Sequence, residues 1–596
     1  MRSLSKTIRD AAARHPLSIV LHVKEIRMLS MYDLKKKLTQ LDRKSYGAYK
    51  ELTGSYDFKD YLLFIDHVQG DPFAAPSRLR ICVPKSRHGF PAGLFDSRCK
   101  KYAMEDWLLR IFRQNILNGE RRNMGSGKSG VITTCCTGQE VLEQIAVVFG
   151  PDGLEARFEV GFPARGRSIL AGELDTILFQ ILPEIVSRSF YYRNLDSAQI
   201  QKRIELAENQ QYIRGELKKR RLVAFVADGA VLPRESGVSD RPMKKCVPFS
   251  SPESMRTVME VPHGQPISGM AVKRGVTLIA GGGYHGKSTL LRALESGVYN
   301  HILGDGREYV ITDETALKVR AEDGRSIACV NLSPFINHLP GGQDTADFVS
   351  ENASGSTSQA ADIIEGIEAG TGTFLIDEDT SATNFMIRDT VMAELVDEEK
   401  EPITPFIRRI RGLYQDLGIS SVIVVGSSGE YLAAADCVLQ LENYRVKDVT
   451  KRAAMICRKW QMEGRYEGES FPSNKSVRRI VKGLPSDKFD DYKIKVQGTD
   501  SLLINKETVD LRCLEQIAGC GQMAALGYML RYVQKYVIDG RKTVAEVVDE
   551  VFDIIEKKGL AAVVPPGYHA GQPVMARRQE FFGCLNRCRG LQWSAR

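Results

Sequence analysis

The sequence predicts an α/β core that lies between two basic α+β regions, and three observations support this prediction. A short apolar strand leads into the glycine-rich stretch Gly281-Gly-Gly-Tyr-His-Gly-Lys-Ser-Thr289, which leads into a helix. A second apolar strand, beginning at Thr373, ends in a row of acids. The charge changes from basic to acidic and back to basic along the 596 residues. The order strand, glycine-rich turn, Lys-Ser, helix is typical of a P-loop.

The glycine-rich stretch has the flanks that a phosphate-binding loop needs. Its glycines let successive N–H groups surround phosphate oxygens, and the following helix adds its positive end. In this pattern the lysine reaches the β- and γ-phosphates and the serine hydroxyl holds Mg²⁺. A glycine-rich turn that only closes a βα unit is the alternative, and the full spacing disfavours it. We therefore predict an ATP site at Gly281, Gly283, Tyr284, His285, Gly286, Lys287, Ser288 and Thr289.

The strand Thr373-Phe-Leu-Ile-Asp-Glu-Asp379 is apolar until its last residues. Acids at a strand end are common, but an upstream P-loop in the same domain favours a catalytic function for them. Asp377 is then the candidate for the Mg²⁺ shell, together with Ser288, and Glu378 is the candidate that orients and activates water. These residues predict Mg²⁺-dependent ATP hydrolysis.

The segment Asn352-Ala-Ser-Gly-Ser-Thr-Ser-Gln359 opens a further helix. Helix capping alone explains one or two of its hydroxyl residues, while so many at a helix start also suit a phosphate. It resembles the ABC-class signature Leu-Ser-Gly-Gly-Gln: Ser354 and Gly355 match, and Ser356 and Thr357 stand for the second glycine and the glutamine.

Other stretches extend this resemblance, and Thr380-Ser-Ala-Thr-Asn384 sits where ABC proteins carry their D-loop. The chain is similar over nearly its whole length to the predicted ABC-class ATPase family. Its basic N-terminus makes it resemble, within that family, the mitochondrial accessory ATPases of kinetoplastid RNA editing. The similar stretches outside the ATP site include Phe225–Arg234, Arg320-Ala-Glu-Asp-Gly-Arg325 and Asn586-Arg587.

The resemblance implies an ABC-type P-loop core and a head-to-tail homodimer. In such a dimer, Ser354, Gly355, Ser356 and Thr357 of one copy cap the ATP on the P-loop of the other. The sequence departs from the ABC pattern where the switch histidine is expected, since Gly426-Ser427-Ser428 stands there. Ser427 and Ser428 are the candidate replacements, and slow turnover is expected without the imidazole.

Charge is distributed unevenly between the regions. Residues 1–122 contain 24 basic and 13 acidic side chains, residues 275–450 contain 13 and 27, and residues 451–596 contain 25 and 17. Basic regions on both sides of an acidic core suggest contact with a polyanion, although solvated surface charge explains single runs. The candidate RNA-binding residues are Arg78, Arg80, Lys85, Arg87, Lys128, Arg165 and Arg167.

The expected domains are a mitochondrial transit peptide at 1–25, a basic N-terminal domain at 26–200, the ABC ATPase core at 201–450 and a basic C-terminal domain at 451–596. The first residues are basic and poor in acids, which is typical of a transit peptide and predicts a location in the mitochondrial matrix. The alternative is an ordinary amphipathic helix in a cytoplasmic protein. No apolar run of the sequence is long enough to cross a bilayer, so no membrane partner is expected. Leu511 to Ile538 predicts one long apolar helix.

These inferences predict a soluble ABC-class ATPase whose ATP-dependent dimer closure moves RNA-binding flanking domains. Mitochondrial RNA processing or editing is the expected context, with a larger RNA-processing complex as a further partner. An ABC ATPase that acts on a protein partner is one alternative. A nucleotide-gated scaffold with little hydrolysis is another, and a DNA-repair relative is disfavoured because no sustained heptads separate P-loop and signature.

Overall fold

The computed structural model describes residues 28–119, 124–388, 395, 400–466, 469–472, 477–486, 491–565 and 572–595. The segment 1–25, with its expected transit peptide, lies outside these residues. The chain divides into two compact units. The first comprises Met1–Gly89, Gln114–Thr133 and Phe149–Asn194, and the second comprises Phe90–Arg113, Thr134–Val148 and Leu195–Arg596.

Six strands of the first unit form a sheet in the order β1-β2-β3-β4-β6-β5. They are Leu29–Ser30 (β1), Gly54–Asp57 (β2), Leu62–His67 (β3), Ser77–Pro84 (β4), Ile132–Thr133 (β5) and Gly153–Val160 (β6). Burial alternates along β4, so that Leu79, Ile81 and Val83 enter the core while Arg78 and Arg80 lie on the other face. This period of two is that of a sheet with one face packed on a core.

The helices of the N-terminal region are Met31–Gln40 (α1), Arg98–Gly119 (α2), Ala171–Thr176 (α3) and Leu182–Phe190 (α4). Helix α1 begins with a capping box: the Ser30 hydroxyl accepts the Asp33 N–H at 3.2 Å, and the Asp33 carboxylate accepts the Ser30 N–H at 2.9 Å. Two N–H groups that the helix start would leave without a partner are thereby satisfied.

The core, which is the central region of the chain, is built on a six-stranded sheet in the order β12-β15-β16-β10-β17-β18. Its first five strands are parallel and β18 pairs antiparallel with β17. All five residues of β15 and of β16 are buried, as expected for parallel strands covered on both faces. The strands of the core are Leu222–Ala227 (β7), Arg256–Met259 (β8), Ile267–Lys273 (β9), Val276–Ala280 (β10), Val310–Thr312 (β11), Leu317–Val319 (β12), Arg325–Val330 (β13), Phe348–Ala353 (β14), Thr373–Asp377 (β15), Ser420–Val424 (β16), Cys437–Glu442 (β17) and Arg445–Asp448 (β18).

Two smaller sheets and five longer helices also belong to the core, as do the paired strands Arg234–Ser236 and Ser239–Pro242, the strand Asn300–His301 and the short helix Thr383–Met386. Strands β8-β9-β7-β11 form an antiparallel sheet, and β13 pairs with β14. Apolar side chains of the P-loop strand and helix, such as Ile279 and Leu291, share one core with β7 and β16. The helices are Ser197–Lys219 (α5), Lys287–Ser296 (α6), Gly355–Glu368 (α7), Phe406–Leu417 (α8) and Thr450–Lys459 (α9).

The C-terminal region has its own apolar core, formed around the helix Cys520–Tyr536 (α10). Three antiparallel strands pack on it: Ile494–Gln497 (β19), Ser501–Ile504 (β20) and Glu507–Asp510 (β21). Two more helices, Val544–Lys558 (α11) and Arg578–Asn586 (α12), complete it. The prediction of one helix from Leu511 is wrong at its start, because Leu511–Gly519 forms turns instead. None of the described helices is both long and apolar enough to span a membrane.

Candidate functional site

The glycine-rich loop connects β10 to α6, as the sequence predicts. Gly281 has φ +145°, and a Cβ atom there would lie 2.5 Å from the carbonyl oxygen of Leu441, so only glycine fits. Gly286, immediately before α6, has φ +98°. Tyr284 also has a positive φ, +63°, and its side chain is fully exposed. A bulky residue in this conformation is uncommon and tends to mark a functional turn.

Two side chains hold the loop in this shape. The Lys287 ammonium donates to the carbonyl oxygens of Gly281 and Gly282, at 2.8 and 3.1 Å. The ring Nδ1 of His285 accepts the N–H of Asn443 at 2.8 Å, which ties the loop to the turn between β17 and β18. The lysine thus lies over the loop itself, within reach of any anion that the loop N–H groups surround.

The predicted nucleotide residues occupy one continuous turn. Gly281, Gly283, Tyr284, His285 and Gly286 form the loop, and Lys287, Ser288 and Thr289 open the helix. Their binding functions stay predictions.

The acids at the end of β15 share a sheet edge with this loop. Strands β10, β16 and β15 are adjacent and parallel, so their carboxyl ends meet at one edge, where ligands of such sheets bind. Asp377 is buried, 6% exposed, and its carboxylate accepts the N–H of Asp379 at 3.2 Å. The strand order therefore brings Asp377 and the helix start that carries Ser288 to the same edge of the sheet, and their binding of Mg²⁺ stays a prediction.

The serine loop that follows β16 holds the carboxylate of Glu378. The N–H groups of Gly426 and Ser427 donate to its Oε2 at 2.5 and 3.1 Å. The hydroxyls of Ser427 and Ser428 donate to its Oε1 at 2.7 and 2.8 Å. Partial burial raises the pKa of Glu378, but these hydrogen bonds outweigh it and hold the pKa below its ordinary value. Glu378 is thus kept ionised, the form in which a carboxylate accepts a proton.

The serine-rich segment starts α7, and its side chains are turned to the helix and its neighbours. Ser354 is the N-cap, with its hydroxyl 3.0 Å from the Thr357 hydroxyl. In any α-helix the N–H groups of the first turn have no acceptor within the helix. In α7 these groups include those of Gly355 and Ser356. Among the described residues, no hydrogen bond joins 354–357 to the P-loop residues 281–289. Within one chain, these signature residues therefore do not complete the P-loop site.

The signature helix is hydrogen-bonded to the loop after β15. The Ser356 hydroxyl donates to Asn384 Oδ1 at 2.7 Å. The fully buried amide of Gln359 donates to the Ser381 hydroxyl at 3.0 Å and accepts the Ala382 N–H at 2.9 Å. Sequence reasoning missed Gln359, although a glutamine at a helix start among small residues is its visible signal. The helix start and the segment 380–384 consequently form one connected unit.

A cavity of about 1040 Å³ opens beside the P-loop. Gly286 and Thr289 contribute to its wall, as do the aromatic rings of Phe249 and Tyr444. Such a mixed, ring-lined space suits a planar base with a sugar. No local sequence pattern marks this cavity, because its wall combines residues from 232–249, 286–292 and 441–446 with Arg307.

The candidate RNA-binding residues all lie in the first unit, and carboxylates already engage three of them. Arg80 lies between Asp66 at 2.9 Å and Glu155 at 3.3 Å. Ion pairs also join Arg87 to Asp60 and Arg167 to Asp71, at 2.9 and 3.1 Å. Contacts of these three arginines with RNA phosphates would compete with their ion pairs to carboxylates of the protein. The remaining candidates are Arg78, on β4, and Lys85, Lys128 and Arg165, which are exposed.

These elements are those of an ABC-type P-loop ATPase. They are the glycine-rich loop before α6, the acids at the end of β15, and the serine-capped helix α7, which lies between them in the chain. Models of known protein families match nearly the whole chain. The P-loop domain of ABC ATPases matches residues 196–478, the N-terminal domain of ATPases of the ABC class matches 31–193, and the MRB1590 C-terminal domain matches 493–594. The chain belongs to the ABC-class ATPase family that these domains define, which confirms the sequence resemblance.

One curated protein is similar to part of the chain. The uncharacterized protein MJ1628 of Methanocaldococcus jannaschii is 31% identical over 258 residues, which cover 40% of this chain and 54% of that protein. The match thus spans about half the length of this relative.

Two solved structures are similar to part of the chain at low identity. MJ1267, an ATP-binding cassette of an ABC transporter in its ADP conformation, is 12% identical with a TM-score of 0.22, over 34% of this chain and 92% of that one. CbiO1 from Clostridium perfringens, part of the ABC transporter complex cbiONQ, is 14% identical with a TM-score of 0.24, over 41% and 96%. The strand order and the family models, rather than these two likenesses, define the fold.

Proposed function

We propose that this protein hydrolyses ATP with Mg²⁺, and that Glu378 is the residue that activates water. The proposal rests on the hydrogen bonds from the serine loop to this carboxylate, because they keep an ionised acid at the sheet edge where the P-loop lies. A carboxylate and a hydroxyl, from Asp377 and Ser288, are hard oxygen ligands of the kind that Mg²⁺ takes. These two residues would hold the Mg²⁺, which would supply positive charge to neutralise the phosphates.

The chain's own residues then have distinct tasks. Glu378 accepts a hydrogen bond from the attacking water and takes its proton. Lys287 exchanges the carbonyl oxygens of Gly281 and Gly282 for phosphate oxygens, which are the better partners for an ammonium. The cavity beside Tyr444 takes the base, so that the triphosphate extends along the loop.

A head-to-tail homodimer is the form in which the signature can act. The N–H groups at the start of α7 need an anion, and the P-loop of the same chain is not bonded to them. The P-loop of a second copy supplies that anion when ATP is bound there. In this proposal ATP closes the dimer and hydrolysis opens it again.

The test is Glu378→Gln, which keeps the shape of the side chain and removes its basicity. We expect ATP and Mg²⁺ to convert this variant into a stable dimer, measured by light scattering, while phosphate release stops. Glu253→Gln, at a carboxylate 84% exposed on the surface, is the matched control and should hydrolyse ATP like the parent. A Glu378→Gln protein that stays monomeric with ATP would contradict the proposed dimer, and one that still releases phosphate would contradict the assignment of the base.

We further propose that the flanking domains bind RNA and that closure moves them, in mitochondrial RNA processing or editing and within a larger complex. Helix α9, at the boundary between the core and the C-terminal domain expected from residue 451, offers a further surface suited to RNA. It buries only Ala453 and Cys457, while Trp460 at its end is 69% exposed. Exposed cations and an aromatic ring are the pairing that single-stranded nucleic acid contacts through phosphate attraction and base stacking. The exposed cations are Lys451, Arg452, Arg458 and Lys459.

The RNA test compares Lys451→Glu/Lys459→Glu with Lys557→Glu/Lys558→Glu, a pair of exposed lysines on α11. Loss of two phosphate contacts should reduce the slope of log affinity against log salt by about 1.4, because single strands contribute about 0.7 for each contact. Trp460→Ala should weaken binding at every salt concentration. Binding that is absent at low salt, with ATP hydrolysis that RNA leaves unchanged, would instead support action on a protein partner.

A further inference from the structure

Two stretches that the sequence marks as similar to the family, but that the ATP site does not use, meet in the structure. Arg587, 6% exposed, donates through Nη2 to Glu322 Oε2 at 2.8 Å and to Asp362 Oδ1 at 3.1 Å. Its Nε also donates to Glu322, at 3.1 Å. Glu322 belongs to the stretch 320–325, and Asp362 lies on the signature helix α7. One guanidinium of the C-terminal domain therefore joins the signature helix to a loop of the core.

The loop 320–324 contacts the signature from its other side. The N–H of Glu322 donates to the Ser358 hydroxyl at 2.9 Å, and the N–H of Ala321 donates to the carbonyl of Thr380 at 3.0 Å. A Cβ atom on Gly355 would lie 3.2 Å from the Cβ of Ala321, so the loop packs closely against the helix start. The position of this loop consequently sets where the signature N–H groups point.

A second pair of contacts lies at the other end of α7. Arg478 donates to Glu368 Oε2, with Nε at 2.9 Å, and to Asn586 Oδ1 at 3.0 Å. Glu368 is the last residue of α7, and Asn586 is the last residue of α12. Arg325 adds buried ion pairs to Asp362 and Glu365 of α7. The signature helix is thus joined to residues after 450 at Asp362 and at Glu368, and to β13 of the core through Arg325.

The C-terminal domain also holds the end of the P-loop helix. Gln516, 6% exposed, accepts the N–H of Lys318 at 2.8 Å and donates to the carbonyl of Glu295 at 3.1 Å. Its own carbonyl accepts the Tyr299 hydroxyl at 2.9 Å. Glu295 lies in the last turn of α6, so one segment of the C-terminal domain contacts the helix that carries Lys287 at its other end.

We propose that the C-terminal domain sets the position of the signature helix relative to the P-loop helix, and that Arg587 is a positioning residue for ATP-driven closure. A buried carboxylate separated from its arginine is costly, so α7 moves only together with α12. A ligand that displaces the C-terminal domain, such as RNA, thereby changes how strongly the signature residues bind the ATP held by the second copy. This inference depends on the proposed closure of two copies.

The test is made in the Glu378→Gln background, where closed dimers accumulate. Arg587→Lys keeps the charge but cannot serve both carboxylates with a planar fork. Arg512→Lys is the matched control, since Arg512 pairs with Asp510 on the surface of the same domain, 69% exposed. We expect Arg587→Lys to raise the ATP concentration for half-dimerisation about tenfold, the effect of one lost charge-assisted hydrogen bond. Binding of a fluorescent ATP analogue to dilute monomer should change less than about twofold, because the P-loop itself is intact.

Thermal melting shows whether the variant folds. If Arg587→Lys is unfolded, Arg320→Lys replaces it, because the Arg320–Glu515 pair at 2.6 Å is only half-buried and links the same loop to the same domain. If the folded variant reaches half-dimerisation at the same ATP concentration as its parent, the inference is wrong, while the proposed dimer is still supported. An equal loss of monomer affinity would also overturn it, since the damage would then lie at the P-loop. A parent that fails to dimerise would overturn both proposals.

Discussion

The hydroxyl bonds from the serine loop to Glu378 can be removed without touching the P-loop. In the double variant Ser427→Ala/Ser428→Ala, Oε1 loses both of its hydroxyl donors, while Oε2 keeps the N–H groups of Gly426 and residue 427. Both bonds stabilise the ionised carboxylate, so their loss must raise the pKa of Glu378. Because the folded-state pKa is depressed, the ionised base persists as pH falls below the ordinary value of a glutamate and is lost only at the folded pKa.

The size of the effect follows from these bonds. A hydrogen bond to a charged group is worth about 1.5–3 kcal/mol when its partner stays unsatisfied, and one pKa unit corresponds to about 1.36 kcal/mol. Glu378 is half-buried, so water replaces part of the loss. We expect the acidic limb of kcat/KM, which reports the free enzyme, to move up by about one pH unit in the double variant.

The assay is phosphate release at limiting ATP between pH 4 and 8, over the range in which each protein stays folded. Ser254→Ala is the control, because that hydroxyl also donates to a carboxylate, Asp448, at 2.6 Å. Its acidic limb should coincide with that of the parent. An unmoved limb in the double variant would show that Glu378 is not the ionising group that limits the reaction.

Two further changes probe stability and base binding. Arg325→Met should destabilise the protein by about 3–5 kcal/mol, since it leaves Asp362 and Glu365 buried without this partner. Burial raises the pKa of Asp362 to about 6, although Arg325 lowers it, so the folded state takes up a proton near that pH. The loss of unfolding free energy in the variant, measured with urea, should therefore be smaller at pH 5 than at pH 8. An equal loss at both pH values would contradict this. Tyr444→Ala should raise KM for ATP by a few-fold, from about 0.5–1.5 kcal/mol of lost ring contact, with kcat little changed; an unchanged KM would exclude its ring from the base site.

The sequence predicts the strand, the glycine-rich loop and the helix of the expected ATP site well, because their pattern is local. The strand Val276–Ala280, its glycine turn and its helix follow one another along the chain, and their apolar and glycine patterns are sufficient to recognise them. The same holds for the buried strand that ends at Asp377. Where an element is built from consecutive residues, spacing alone is sufficient to predict it.

Long-range pairing is what the sequence leaves open. Arg80 looks like a cation available to RNA until the fold brings Glu155 from 75 residues away. Arg587 and Glu322 are 265 residues apart, and each alone looks like a solvated charge. The helix expected from Leu511 begins only at Cys520, because the turns before it carry Gln516 to the end of the P-loop helix. Apolar composition could not distinguish such a segment from a helix.

The serine loop also explains how base and phosphate can be coupled without a histidine. Each serine hydroxyl has a single hydrogen to donate, and those of Ser427 and Ser428 are both directed to Glu378. A hydroxyl that turns to a γ-phosphate must therefore leave the carboxylate. That exchange raises the basicity of Glu378 at the moment when ATP is in place, because the released oxygen has lost a donor that stabilised its charge. Glu378 would then be ionised in both states, and its basicity would rise only when the phosphate that it serves is bound.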